Sequence, residues 1–321
     1  MKAAVLHALD GLPAYEDFAD PTPPPDGELA TLVAAGIHPF VRSVASGRHY
    51  GSTGHYPLIP GADAVVRTAD GTLAYTGGLP PPYGTLAERI AVPAMLRVAL
   101  PAGADPVAIA GAMNPGLASW MPLLARSAEV DALGTVLVLG VTGMAGLLAV
   151  ENAFVLGATR VVGAGRDPDG LARAAKAGAV TVPLTGDRTA DAAALVAALA
   201  GTSPSIVVDF VWGAPAETAF AALGRRGLDE DRADIAYVQI GSMAGADAAV
   251  PSTLLRSRRI RISGSGAGSA SIAAIIAQLP RYMQLIVDGR ITVPTRVFTL
   301  AQIADAWTTA AQSGRRVVVV P

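Results

Sequence analysis

Three glycines carry the first chemical signal in this sequence. Gly140, Gly143 and Gly146 are spaced three apart in Gly140-Val141-Thr142-Gly143-Met144-Ala145-Gly146, directly after the apolar run Thr135-Val136-Leu137-Val138-Leu139. A strand that ends in a tight glycine turn and feeds a helix lets a pyrophosphate approach the backbone, where the unpaired N–H groups and dipole of the helix start hold it. The candidate contacts are Gly140, Thr142, Gly143, Met144, Ala145 and Gly146. The spacing is a variant of the usual G-x-G-x-x-G fingerprint, and in a chain with 35 glycines it carries little weight alone. What strengthens it is its place at a strand-to-helix junction that opens a longer α/β run.

The second strand bears on the choice of cofactor. NAD sites place an acidic residue about 20 residues beyond the fingerprint, whereas NADP sites place an arginine nearby for the phosphate. Here that count reaches Gly165 and Arg166, at the end of Arg160–Gly165. A guanidinium fork suits a phosphate dianion, so NADP(H) is expected. The adjoining Asp167 could touch a ribose and leaves room for NAD; Lys176 reads as a solvated charge.

These residues need a scaffold, and the sequence supplies one. From Leu133 onward, apolar strands Thr135–Leu139, Arg160–Gly165, Val180–Pro183, Ile206–Val211, Ile235–Ile240 and Ile260–Ser263 alternate with helical stretches. The helices read as Ala145–Leu156, Asp169–Ala177, Ala190–Ala200 and Ala214–Leu223. Such alternation predicts a parallel sheet covered on both faces. Asp167 is the expected N-cap of the second helix, with Pro168 in its first turn. Before Asn114, short apolar runs such as Leu29–Ala35, Ala62–Thr68 and Ala87–Val92 are broken by Pro and Gly clusters and read as a β-rich region. The tail reads as helix Ser271–Val287, strand Val293–Phe298, helix Leu300–Ser313 and strand Arg316–Val320.

Composition narrows the function classes. The chain has 321 residues, a net charge of −2 and no dense basic run, so no nucleic-acid partner is expected. It has no cysteine, which removes disulfides, thiolate zinc sites and a cysteine nucleophile. The start does not read as a signal peptide. The uncharged stretches Ala132–Val150 and Ile262–Pro280 are broken by Gly, Ser or Thr and read as strand, turn and helix rather than membrane spans. A cytoplasmic protein is expected. None of the seven tyrosines has a lysine four residues on, which argues against a short-chain dehydrogenase, and no glycine run ends in Gly-Lys-Ser/Thr as a P-loop would.

Along its whole length the chain resembles the medium-chain dehydrogenase/reductase superfamily, in its zinc-free NADPH:quinone oxidoreductase-like branch. The markers are Ala34-Ala35-Gly36-Ile37-His38-Pro39, Ser46-Gly47-Arg48-His49-Tyr50, Pro57-Leu58-Ile59-Pro60-Gly61-Ala62-Asp63 and Tyr83-Gly84-Thr85-Leu86-Ala87-Glu88. After them come Asn114 to Trp120, the glycine turn, Val208-Asp209-Phe210-Val211, Ile240-Gly241-Ser242, Asp288-Gly289-Arg290-Ile291 and Gly314 to Val318.

The resemblance implies a Rossmann dinucleotide-binding domain inserted in a β-rich GroES-like catalytic domain, with a substrate cleft between them. The expected boundaries are 1–116 and 269–321 for the catalytic domain and 117–268 for the Rossmann domain. It implies a homodimer paired through the strand around Arg259–Ser263. It adds Asn114, Ser119, Val211, Gly241, Ser242, Gly264 and Ser265 to the candidate cofactor contacts. It offers His38 and Tyr50, with His49 and His55 behind them, as proton donors or orienting groups, and Trp120 and Trp212 as walls.

The zinc alcohol dehydrogenases of the superfamily use a Cys, a His and a third ligand at positions that here read His38, Ala62 beside Asp63, and no Cys near Asn114. That set falls short of the three protein ligands a catalytic zinc needs, so no metal is expected. Without a Lewis acid, hydride transfer is easier onto a quinone or an α,β-unsaturated carbonyl, where charge delocalises. A small-molecule substrate of that class is expected. Two alternatives stay open: a non-catalytic NADPH-binding protein and, less favoured, an alcohol dehydrogenase-type enzyme.

Overall fold

A computed structural model describes residues 1–266, 268–269, 271–312 and 315–321. Ala267 and Ala270 of the second uncharged stretch, Ser313 at the expected end of the last helix, and Gly314 of the C-terminal marker lie outside the described residues. The chain begins with strands β1 (Lys2–Val5), β2 (Ala14–Asp17) and β3 (Glu28–Ile37), then helix α1 (Pro39–Ala45). Strands β4 (Asp63–Arg67), β5 (Leu73–Gly77), β6 (Arg89–Val92) and β7 (Val98–Ala99) follow, then helix α2 (Pro106–Glu129). The alternating run is β8 (Thr135–Leu139), α3 (Met144–Val155), β9 (Arg160–Gly165), α4 (Pro168–Lys176), β10 (Val180–Pro183) and α5 (Arg188–Leu199). It continues with β11 (Ile206–Asp209), α6 (Gly213–Leu223), β12 (Ile235–Gln239), α7 (Ser252–Ser257) and β13 (Ile260–Gly264). The tail is α8 (Ile272–Val287), β14 (Thr295–Thr299), α9 (Ile303–Thr309) and β15 (Arg316–Val320).

Two compact units result, one of Met1–Pro115 with Ile272–Pro321 and one of Gly116–Ser271. In the second, six parallel strands lie in the order β10-β9-β8-β11-β12-β13. This is the doubly wound arrangement, with its topological switch point between β8 and β11. Side chains alternate across the sheet, so Val136, Val138, Ile206 and Val208 face Leu123, Ala149 and Ala153. Leu137, Leu139 and Val207 face Leu195, Phe220 and Leu223 on the other side. Both faces are therefore apolar, which is why these strands read as unbroken hydrophobic runs. Asp167 caps α4 as its sequence predicts, its carboxylate accepting from the Gly170 N–H at 2.8 Å. Asp187 caps α5 in the same way, which starts that helix at Arg188 rather than at Ala190.

In the first unit, β14-β15-β3-β4-β5-β7 form one sheet and β6 also pairs with β3. The β14–β15 pair is parallel and the others are antiparallel. Leu32, Ala35, Ile37, Val66, Ile90, Val319 and Trp307 contribute to its core.

Helix α2 covers a stretch to which the sequence reading assigns no element. Asn114-Pro115-Gly116 carries local helix breakers, because a proline inside a helix removes an N–H and glycine adds backbone entropy. The structure instead runs one helix of 24 residues through it, and the division between the units falls within that helix. Among the described residues this helix alone is long and apolar enough to cross a membrane, and 61% of its most apolar window is buried inside the protein.

Candidate functional site

The glycine turn sits at the carboxyl edge of β8. Gly140 adopts φ +84°, a left-handed conformation that strains any side chain, and a Cβ there would lie 2.8 Å from Val211 Cγ1. Gly146 packs α3 onto the strand end, since a Cβ would overlap the Gly140 carbonyl oxygen. Gly143 is different. As N-cap of α3 it has φ −80° and ψ 163°, open to any residue, and a Cβ would meet only the Gly140 oxygen at 3.6 Å. Nothing among the described residues asks for glycine at that position. A ligand pressed against the backbone would.

The first bond to a helix-start carbonyl runs from Leu147 N–H to Gly143 O, and no side chain caps this end. The N–H groups of Met144, Ala145 and Gly146 thus precede any intrahelical acceptor. Thr142 is wedged against Gly165 and Gly170, where added Cβ atoms would collide with it. That fit holds the turn against the end of β9. The residues present therefore fit a dinucleotide: a narrow backbone cradle, unsatisfied donors and a helix N-terminus.

Arg166 follows β9 with an exposed side chain and no ion pair among the described residues. Its neighbour Asp167 puts Oδ2 on the α4 cap and on a 3.6 Å ion pair with Arg173.

Across the switch point, Asp209 ends β11 fully buried. Its Oδ1 accepts from the N–H of Val211 at 2.8 Å and of Trp212 at 2.9 Å, and its Oδ2 accepts from the Tyr237 hydroxyl at 2.6 Å. Burial raises the Asp209 pKa above the usual carboxylate range, against these three donors, and the Tyr237 pKa also rises, first through its own burial. Trp212 takes φ 55° and ψ −157°. That region is essentially glycine's alone, at a cost on the order of 1–3 kcal/mol. Val211 O accepts from Ala244 N–H at 2.8 Å, and a Cβ on Gly241 would overlap the Phe210 oxygen, so the loops after β11 and β12 are in contact. Ser242 is exposed on the second loop. Gly264 ends β13, and Ser265 donates its N–H to Gln239 O at 2.9 Å.

In the first unit, His38 lies at the start of α1 and is only 1% exposed. Its Nε2 is 3.2 Å from Asp63 Oδ1, off the hydrogen-bond axis, and neither ring nitrogen has a hydrogen-bond partner among the described residues. Asp63 Oδ2 accepts from the Tyr75 hydroxyl at 2.8 Å, and Arg316 Nη1 donates to Ile37 O at 3.2 Å. Burial pushes the Arg316 pKa down to about 10, with Asp63 acting against it.

No family profile matches the sequence. The chain is 31% identical, over 96% of its own length and 96% of the relative's, to the probable NADPH-dependent quinone reductase of Emericella nidulans. It belongs to the medium-chain dehydrogenase/reductase superfamily, in the quinone oxidoreductase-like branch. Solved structures share the fold: the quinone oxidoreductase of Thermus thermophilus has a TM-score of 0.80 at 24% identity, covering 100% of both chains. The Pseudomonas syringae quinone oxidoreductase has a TM-score of 0.82 at 20% identity, covering 100% of this chain and 99% of that one.

Within this superfamily member the remaining candidates are widely placed. Tyr50 is 74% exposed and its ring lies 4.0 Å from that of His49, which meets Phe40 edge-on. Asn114 and Ser119 both lie on α2. Ser119 is buried, donating to Gly116 O and accepting from Asn152 Nδ2 at 2.9 Å. Where zinc-dependent members hold their metal, this chain offers His38 and Asp63, and among the described residues no three His, Asp or Glu side chains gather to share an ion. That donor set does not fit a catalytic zinc. The sequence reading singled out neither the Asp209–Tyr237 pair nor Tyr75 and Arg316, which the fold brings beside Asp63 and Ile37. Asp209 lay inside a quoted marker, but its partners come from other strands.

The His38 environment predicts a pH effect. Burial lowers the imidazole pKa, Asp63 opposes this, and Arg316 adds to it. The folded chain thus keeps His38 neutral while the unfolded chain takes up a proton below about 6.5. Its contribution is full above that pH and is lost as the pH falls toward the folded value. Melting curves between pH 7 and 5 are expected to show a smaller loss of Tm in His38→Gln than in wild type; parallel curves would contradict this.

Proposed function

We propose that the protein is an NADPH-dependent, zinc-independent oxidoreductase that reduces quinones or α,β-unsaturated carbonyls. The observation that carries the reading is the cradle at Gly143, where no described residue crowds a side chain and a ligand held against the backbone would. The names of the Emericella and Thermus proteins, the second described in complex with NADPH, support the cofactor and acceptor class.

When bound, NADPH supplies a hydride, two electrons and one proton, to the acceptor. The chain does the rest. The N–H groups of Met144, Ala145 and Gly146 hold the pyrophosphate, with Gly140, Thr142 and Gly165 shaping the turn. Arg166 takes the phosphate that distinguishes NADPH from NADH. Val211, Gly241, Ser242, Gly264 and Ser265 are the candidate contacts at the strand ends, whereas Ser119, buried and held by Gly116 O and Asn152, serves the packing of α2. Tyr50, an exposed residue, is the candidate donor of the proton that the reduced acceptor still needs, and the buried His38 would act only through its neighbours. Orientation is the main contribution, because a conjugated acceptor spreads the incoming charge.

The outer edge of β13 has no partner strand in the six-stranded sheet, and a second copy pairing there would give a homodimer. The same reading places the reaction in the cytoplasm, without nucleic-acid or membrane partners.

The deciding experiment follows NADPH and NADH oxidation against a panel of quinones and enones, with and without a metal chelator. Turnover with NADPH that survives the chelator is expected. NADPH fluorescence changes without turnover of any acceptor would favour a non-catalytic binding protein, and loss of activity with the chelator would return the alcohol dehydrogenase reading.

A further inference from the structure

We infer that Asp209 and Tyr237 are positioning residues for the dinucleotide, forming with Trp212 a buried latch that sets the loops on the cofactor side of the sheet. The inference rests on reading Gly140–Gly146 as the cofactor cradle. The turn Phe210–Gly213 is the piece that touches everything else at this edge. Val211 meets Gly140, and its carbonyl accepts from Ala244 N–H. Phe210 closes on Gly241, and a Cβ on Gly213 would lie 2.9 Å from Ala244 O. A small rotation of this turn therefore moves both the glycine turn and the Gly241–Ala244 loop.

The turn is not at rest by itself. Trp212 has a backbone conformation that its side chain disfavours. It stays there because Asp209 holds two successive N–H groups, while Tyr237 on the next strand fixes the other carboxylate oxygen. The indole packs edge-on against Phe220, at 5.9 Å between centroids, and Tyr237, at 6.3 Å. Its ring, partly buried, packs against the sheet's core cluster. Trp212 is thus an anchor, and the strained backbone beside it delivers Val211 to the cradle. A glycine at 212 would take the same conformation without a clamp, and this gives the latch its test.

The experiment is a double-mutant cycle on the full chain, reading the NADPH Kd by fluorescence and amide exchange at Val211–Gly213 and Ala244, well below the unfolding transition. In the wild-type background Asp209→Ala, which removes both acceptor oxygens, is expected to raise the Kd at least tenfold and speed exchange at both loops. In the Trp212→Gly background the same substitution is expected to change the Kd less than threefold, because glycine needs no clamp. Tyr237→Phe, which removes only the outer bond, should follow the same pattern with a smaller loss and serves if Asp209→Ala does not fold. An equal loss in both backgrounds, or no loss in either, overturns the latch. Absence of NADPH binding by the wild type overturns the cradle reading instead, and the exchange cycle still decides whether Asp209 clamps the turn.

Discussion

Arg166→Ala is expected to weaken NADPH binding about 10- to 100-fold while leaving NADH within about twofold. The side chain stands at the end of β9, exposed and without an ion pair among the described residues, so its removal deletes no internal contact. Stability should stay within about 0.5 kcal/mol of wild type, as for surface substitutions generally. The neighbouring Asp167 places only Oδ2 on Gly170 N–H and Arg173, and a ribose hydroxyl donated to its Oδ1 would serve NADH and NADPH alike. A guanidinium on a phosphate dianion makes charge-assisted hydrogen bonds worth about 1.5–3 kcal/mol, which converts to the stated range. The discrimination should also shrink as salt is raised, since the contact is solvent-exposed. Titrating both cofactors into wild type and variant is sufficient. Equal losses for NADPH and NADH would remove the phosphate role from Arg166.

Much of the nucleotide-binding half was legible because its signals are local. A buried parallel strand needs apolar residues on both faces, and Thr135–Leu139 or Ile206–Asp209 shows this in a single segment. A cap needs only one residue beside a helix start, as Asp167 is beside Pro168. Helix α2 was not legible, because Asn114-Pro115-Gly116 carries strong local breakers that the helix's continued burial overrides; Met113, Trp120 and Leu123 all lie in the core. The polar clusters were not legible either. His38, Asp63, Tyr75 and Arg316 are scattered along the chain and meet only because β15 pairs with β3, β3 with β4 and β4 with β5. Asp209 and Tyr237 meet because β11 lies beside β12. The family resemblance also grouped His38 with Tyr50 as candidates, whereas one proves deeply buried and the other largely exposed.

The three glycines of the turn look equivalent in sequence, and the structure separates them into an experiment. Gly143→Asp is expected to abolish detectable NADPH binding, at least a hundredfold loss, while the protein melts no lower than wild type. The backbone at 143 suits any residue, and an aspartate there is a better N-cap than glycine and meets the α3 dipole favourably. The same carboxylate would occupy the face where the pyrophosphate must lie, so sterics and like charge both act against the ligand. Gly146→Ala should instead cost stability, about 1–3 kcal/mol, because its Cβ collides with the Gly140 carbonyl inside the packed strand-helix junction. Binding would be lost in both variants, but only the second would show it in the melting curve. If Gly143→Asp still binds NADPH within threefold of wild type, the open face of this turn is not where the dinucleotide sits. A fall in the melting temperature of Gly143→Asp comparable with that of Gly146→Ala would mean that glycine at 143 serves the fold after all.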